Sequence, residues 1–292
     1  PIGHIQKDKN SIKFQQLNQL RIDEVLFSLQ NWFSSEIHPK ALQNTKYDRL
    51  ILLRHGIVLK GVVIDTLLAD YISDATLKHS LDEIAYREFG FKPTSFSDIV
   101  KKGEDFSYVD IKTASMYCGM DVYLTRKIAL IYIERLKRKG KELENLLIKV
   151  EQPLEEVLAE IESTGITIDI PYLKNLSIEL TNKLNTIEEE VYKASGNKFN
   201  LSSPKQLGEL LFEKLNLDRK KSRRTKTGWS TDVGVLEKLE SDHPIVKMII
   251  EHRTISKLLN TYVDALPQLI EKETGRVHTD FNQAVTATGR LS

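Results

Sequence analysis

Two long apolar seams constrain this chain more than any other feature. Leu173, Leu176, Leu180, Leu184, Ile187 and Val191 step by three and four along one stretch; Ile245, Met248, His252, Ile255, Leu259, Tyr262 and Leu266 do so along another. That spacing puts each set on one face of an α-helix. Each helix would run for roughly 30 Å at about 1.5 Å per residue. Stripes of that length must be covered, so the seams predict an antiparallel helical pair packed side by side. Between them, Ser203-Pro204-Lys205-Gln206 reads as an N-cap, a proline at the first helical position and a capping-box glutamine. Ser230-Thr231-Asp232 opens another short helix.

The first half has a different character. Ile22, Val25, Leu26, Leu29, Trp32 and Phe33 make an apolar helical stripe. Leu50–Leu53 predict a second helical segment stopped by Gly56, residues 81–89 a third, and about Tyr108 to Leu136 a long one with a basic last turn before Gly140. Val62-Val63-Ile64 is a β-branched run that predicts a buried strand. Helices around a strand indicate an α/β layer whose first strands are missing. An acidic amphipathic helix over Glu151–Glu162, then Gly165 and a short strand Ile166-Thr167-Ile168, lead into the helical half.

A chain of 292 residues is long enough for two domains with real cores. No apolar run has the length of a membrane span. A single cysteine, Cys118, rules out an intrachain disulfide and fits a reducing cytoplasm. The net charge is only +1, so any affinity for nucleic acid has to come from local clusters. One such cluster exists: Arg219, Lys220, Lys221, Arg223, Arg224 and Lys226, followed by Gly228 and Ser230, read as a basic loop. Exposed cations of this kind bind phosphates. From composition alone the segment is equally a solvated charge run. The seven histidines, His4, His38, His55, His79, His243, His252 and His278, show no metal-ligand spacing, and no glycine-rich phosphate loop is present.

Tyr117 and Asp121, four apart in the predicted long helix, share a face. Asp48, in Asn44-Thr45-Lys46-Tyr47-Asp48-Arg49, is a further candidate. A two-metal nuclease needs several carboxylates and a group that orients the attacking water, and these are the right residue types. The spacing by itself is more often that of a surface aspartate beside a packed tyrosine.

The last residues, Arg276 to Ser292, read R-V-H-T-D-F-N-Q-A-V-T-A-T-G-R-L-S. This run closely resembles the segment that opens the palm of family A DNA polymerases. Further blocks resemble the thumb of that family in order: Glu151-Gln152-Pro153-Leu154, Gly165-Ile166-Thr167-Ile168-Asp169, Phe199 to Leu207, Thr227 to Asp232 and Lys257 to Asp264. Lys46-Tyr47-Asp48-Arg49 and Tyr117-Cys118-Gly119-Met120-Asp121 are similar to the second and third motifs of its 3′–5′ proofreading exonuclease, and Pro1-Ile2-Gly3-His4 to the stretch just after the first. With Pro1 where an initiator methionine would stand and a motif interrupted at Ser292, the expectation is an internal fragment.

The resemblance implies a partial exonuclease domain of ribonuclease H-like α/β fold over residues 1–145, a mainly α-helical thumb over 146–275, and the start of the palm, with its first strand, over 276–292. It implies that Asp48 and Asp121 are metal ligands and that Tyr117 orients the water. It implies DNA contacts from Asn200, Ser203, Arg253 and Lys257, with Arg290 approaching the primer terminus through the minor groove, whose acceptors are shared by all correct pairs. Lys220, Lys221, Arg223 and Arg224 of the basic loop join that surface. The implied partners are primer-template DNA and, in the parent, deoxynucleoside triphosphates. The implied cofactor is Mg²⁺ in two-metal sites. The implied state is a monomer without a membrane, in the bacterial cytoplasm with the nucleoid. The fragment itself lacks the polymerase carboxylates and the first exonuclease motif, and is not expected to polymerise. A stand-alone 3′–5′ exonuclease with a helical DNA-binding appendage, and a non-enzymatic helical interaction protein, are the competing readings.

Overall fold

The computed structural model describes residues 2–7, 14–16, 19–226 and 228–292. Pro1 and Thr227, which belong to stretches singled out above, lie outside the described residues. The chain forms two compact units: Pro1–Thr164 with Thr279–Ser292, and Gly165–His278. Residues 146–164 and 279–292 pack with the first unit in this grouping.

In the first unit, strands β1 (Ile5–Lys7) and β2 (Phe14–Gln16) form an antiparallel ribbon. Helix α1 (Ile22–Phe33) follows. Strand β3 (Lys40–Leu42) pairs in parallel with β4 (Val62–Asp65), and helix α2 (Thr45–Arg54) forms the crossover. Gly61, at φ 72°, sits where a Cβ would meet the Ser35 carbonyl at 2.6 Å, so the turn into β4 requires glycine. Helices α3 (Thr66–Ser73), α4 (Leu81–Phe89) and α5 (Phe96–Ile99) precede the long α6 (Ile111–Lys139). Asp110 caps α6 through the Thr113 N–H, and Lys137, Arg138 and Lys139 occupy its last turn against the helix dipole. Helix α7 (Lys141–Leu146) passes through a π-helical turn, Leu147–Glu151, into α8 (Gln152–Thr164). The main core joins Ile64, Leu68, Ile84, Leu124, Ile128, Tyr132 and Leu136; a smaller one joins Leu52, Ile57 and Leu59.

Beside the main core lies a buried polar knot. Asp70 takes the Tyr132 hydroxyl, lies 2.6 Å from His79 Nδ1 and accepts 2.6 Å from Arg87. Arg135 holds Glu88 with two bonds of 2.7 Å next to it. Each charge is matched, as burial demands.

In the second unit, α9 (Ile170–Ser195) and α12 (Pro244–Leu258) run antiparallel. Ser177 bonds Asp264, Lys183 pairs with Glu251, and Glu188 lies against His252, so one helix descends as the other rises. Between them come α10 (Pro204–Glu209), a π-helical turn Leu210–Lys214, a 3₁₀ turn Arg219–Lys221, a hairpin of β5 (Arg224–Thr225) and β6 (Gly228–Trp229), and α11 (Val233–Leu239). Val191, Leu207, Leu211, Phe212, Leu236 and Ile249 form its core. β7 (Ile270–Glu271) pairs with β8 (Arg276–Val277), and Val277 also bridges Ile166.

Several sequence expectations change on contact with the structure. The α1 stripe is helical, but none of its residues is buried and Phe27 is 74% exposed. In β4, Ile64 is 1% exposed and Val63 49%, so this strand has one covered face rather than two. The stretch Ile166-Thr167-Ile168 gives a single bridge instead of a strand. The second seam is not one α-helix: α12 ends at Leu258 and a π-helical turn, Leu259–Val263, carries the seam on. The Gln206 side chain does not close a capping box with Ser203; it accepts from the Asn200 N–H at 2.7 Å, three residues further back.

Candidate functional site

Asp48 lies in the first turn of α2. It faces a cavity of about 480 Å³ walled by Trp32, Phe33, Leu42, Ile51, Leu52 and Leu59, with Arg126 of α6 as its other charged lining besides Lys40. Lys40 is spoken for: its ammonium donates to the Ser35 and His38 carbonyls, 2.9 Å each, and sits 4.9 Å over the Trp32 ring. Burial in this apolar setting, then the nearby charges of Asp65 and Glu155, push the Asp48 carboxyl up to about 6. Asp65 caps α3 and accepts from the Asn44, Thr45, Leu67 and Leu68 N–H groups. Burial raises its pKa too, against those bonds. Glu155 of α8 is raised by burial, opposed by Arg49, which grips it with two bonds of 2.9 and 3.1 Å. The Asp48 carboxyl is therefore held closer to neutral pH than that of an exposed aspartate.

Tyr117 and Asp121 share one face of α6, as their spacing predicts. The Tyr117 hydroxyl and the Asp121 carboxyl lie close enough to shift one another's proton affinity. Burial, then Asp121, push the tyrosine up to about 12, and burial raises Asp121 while the hydroxyl opposes it. The Phe106 ring packs 5.8 Å from that of Tyr117. The lining of the Asp48 cavity takes Arg126 from α6 but neither Tyr117 nor Asp121. Among the described residues, no group of three or more histidine, cysteine, aspartate or glutamate side chains could hold a metal ion. The described side chains thus do not by themselves fit a two-metal centre.

The second unit carries a recess of about 600 Å³ lined by Ser202, Thr225, Ser230, Thr231, Asp232, His252 and Arg253, with Pro204, Trp229 and Ser256; the Asp232 carboxylate accepts from the Ser230 hydroxyl and the Val235 N–H. Arg253 donates to the Thr231 carbonyl and, at 3.0 Å, to its hydroxyl, and half-burial lowers its pKa. It is held in place rather than waving in solvent. Ser203 caps α10 through the Gln206 N–H, and Asn200 accepts from the Ser202 N–H at 2.8 Å; both stand on the loop that ends at the recess. Lys257 is exposed on α12, and Arg290 is exposed in the first unit.

The basic segment is a turn and a hairpin, not a plain loop. Arg219 donates to the Phe212 carbonyl, Lys221 pairs with Asp242 at 2.6 Å, and Arg223 lies 3.6 Å from Asp232. Arg224 stacks 5.1 Å over the Trp229 ring, which is also 5.9 Å from Arg219. Among the described residues Lys220 and Lys226 are exposed with no acidic partner within ion-pair distance.

Sequence reasoning missed Lys46, Arg49, Asp65 and Glu155, the buried charges that set up the Asp48 face. Their only signal was position: Lys46 and Arg49 flank Asp48 on a helix whose apolar residues leave their face turned inward.

With this geometry in view, comparison with known proteins gives a consistent picture. Residues 170–292 match the family profile "DNA polymerase family A", and residues 6–137 match "3'-5' exonuclease". DNA polymerase I of Synechocystis sp. is 49% identical over 96% of this chain and 29% of its own length. DNA polymerase I of Geobacillus stearothermophilus is 38% identical over 89% of this chain and 30% of its own. The solved POL domain of Pol1 from M. smegmatis, in complex with DNA primer-template and dNTP, superposes with a TM-score of 0.76 at 30% identity, covering 96% of this chain and 45% of that one. The chain thus spans under a third of the length of these curated relatives.

Proposed function

We propose, for a chain that belongs to DNA polymerase family A, that it serves template-directed addition of deoxynucleotides to a primer 3′ end. Residues 146–275 are its duplex grip, residues 276–292 lead to the primer terminus, and residues 1–145 belong to a ribonuclease H-like 3′–5′ proofreading domain. The observation that carries this reading is the hydroxyl-lined recess around the fixed Arg253, beside a basic hairpin in a protein of net charge +1. Serine and threonine hydroxyls with one immobilised guanidinium suit phosphate oxygens, which position a duplex without reading its sequence. Asn200, Ser203, Lys257 and the cations of the hairpin extend that surface, and Arg290 reaches the minor groove.

In the proofreading role, Asp48 and Asp121 would be two of the carboxylates that hold magnesium together with further ligands, and Tyr117 would orient the attacking water. The polymerase match at residues 170–292 speaks against a stand-alone exonuclease. Among the described residues no helix is long and apolar enough to cross a membrane. A monomer working on nucleoid DNA in the bacterial cytoplasm is the setting proposed.

The test is an anisotropy titration of the 292-residue chain with primed duplex over a salt series. Binding should be indifferent to sequence and weaken with a log–log slope of about −0.9 per phosphate neutralised. Absence of salt-dependent binding at low ionic strength overturns the grip.

A further inference from the structure

We propose that Lys46 is a positioning residue that couples the Asp48 face to the seating of the segment that carries Arg290. This rests on the reading of Asp48 as a proofreading carboxylate and of Arg290 as a primer contact. Lys46 stands two residues before Asp48 in α2 and is 9% exposed. Its ammonium has three donors and uses all of them: Glu162 Oε1 at 2.5 Å, Asp280 Oδ1 at 2.7 Å and the Phe281 carbonyl at 2.5 Å. Glu162 Oε1 also accepts from the Phe281 N–H at 2.6 Å. One buried ion pair therefore holds both backbone groups of Phe281.

From there the hold continues toward Arg290. Gln283 donates to the Glu151 carbonyl and carboxylate at 3.0 and 2.9 Å. The Tyr71 hydroxyl donates to the Thr286 carbonyl at 2.7 Å, and the Thr286 hydroxyl donates to the Arg290 carbonyl at 2.7 Å. Asn282 and Ser292 exchange two backbone bonds of 2.9 and 3.1 Å, which close the segment into a loop around Arg290. A second route joins the same two places. A small cavity of about 110 Å³ is lined by Lys46, Asp65 and Glu155 on one side and by residues 281–285 on the other. A change of position at Asp48 thus reaches the segment 280–286 through α2 and Lys46, which also lines the cavity wall.

Hydrogen exchange on the 292-residue chain reads the hold directly. In Lys46→Met the amides of residues 280–286 should exchange at least about tenfold faster, while those of α6 keep their protection; Lys46→Arg should restore most of the difference. Asp280→Asn, which removes only the exposed leg of the clamp, should give a smaller loosening and serves if Lys46→Met does not fold. In the whole polymerase, the ratio of 3′–5′ degradation to extension on a mispaired primer should shift several-fold in Lys46→Met and return in Lys46→Arg. Unchanged exchange at residues 280–286 overturns the clamp, and loosened exchange with an unchanged ratio overturns the coupling. An Asp48→Ala protein that still degrades primers overturns instead the proofreading reading on which the coupling rests.

Discussion

Asp48 is a charge kept where charge is costly. Its carboxyl titrates at about 6 in the folded protein, against about 4 when unfolded. Between those values the folded state binds the extra proton, so stability falls as pH rises from about 4 to about 6 and stays low above. The cost is at most about 3 kcal/mol, and about 1–2 kcal/mol once partial solvent screening is allowed. Asp48→Asn should therefore melt higher than the native chain at about pH 7.5 and alike at about pH 4. A melting difference that does not change with pH would refute this. Arg253 is the opposite case, a charge fixed by two bonds to Thr231. Arg253→Ala should cost about 1–3 kcal/mol of stability, since the Thr231 carbonyl loses its donor. It should also weaken duplex binding beyond what Thr231→Val does; equal binding losses in the two variants would place the phosphate contact elsewhere.

At the scale of elements, the basic segment separates into two sets of cations. Arg219, Lys221 and Arg223 are tied to Phe212, Asp242 and Asp232, whereas Lys220, Arg224 and Lys226 point their charge outward or over Trp229. Replacing Lys220, Arg224 and Lys226 with Gln should flatten the salt slope of duplex binding by up to about three units with little change in melting temperature. Replacing Arg219, Lys221 and Arg223 should lower the melting temperature first. The reverse pattern in calorimetry and anisotropy would show the assignment to be inverted. The helices were legible because caps and periodicity are local: Gly56 after α2, the basic last turn of α6 before Gly140 and the proline opening α10 all act within a turn. What was not legible depends on distant partners. The hairpin is too short to show alternation, the exposure of α1 depends on what covers it, and the break after Leu258 leaves the i, i+3, i+4 rhythm of the seam unchanged. On α6, Tyr117 and Asp121 could be paired by spacing, but Asp65 and Glu155 could not be joined to Asp48, because they meet it only through the crossover and α8.

For the whole molecule, the prediction concerns division of labour. On the proposed function, Asp48→Ala or Asp121→Ala in the full-length protein should abolish 3′–5′ degradation and spare extension, because each would serve only the proofreading centre. Undiminished single-strand degradation by either variant, in a gel assay, would return these residues to the role of ordinary helix-surface aspartates. The first unit is discontinuous: it leaves off at Thr164 and resumes at Thr279. Its Lys46–Asp280 contact spans 234 positions of sequence. A ribosome adding about 5–20 residues per second delivers Asp280 roughly 10–50 s after Lys46. In the later part of that interval Glu162 waits without Phe281 and Glu151 without Gln283, while the helices between them are made. The segment 279–292 thus reaches its partners only after the second unit has been synthesised, so the order of synthesis keeps Arg290 from being seated before the surface that receives it has been made.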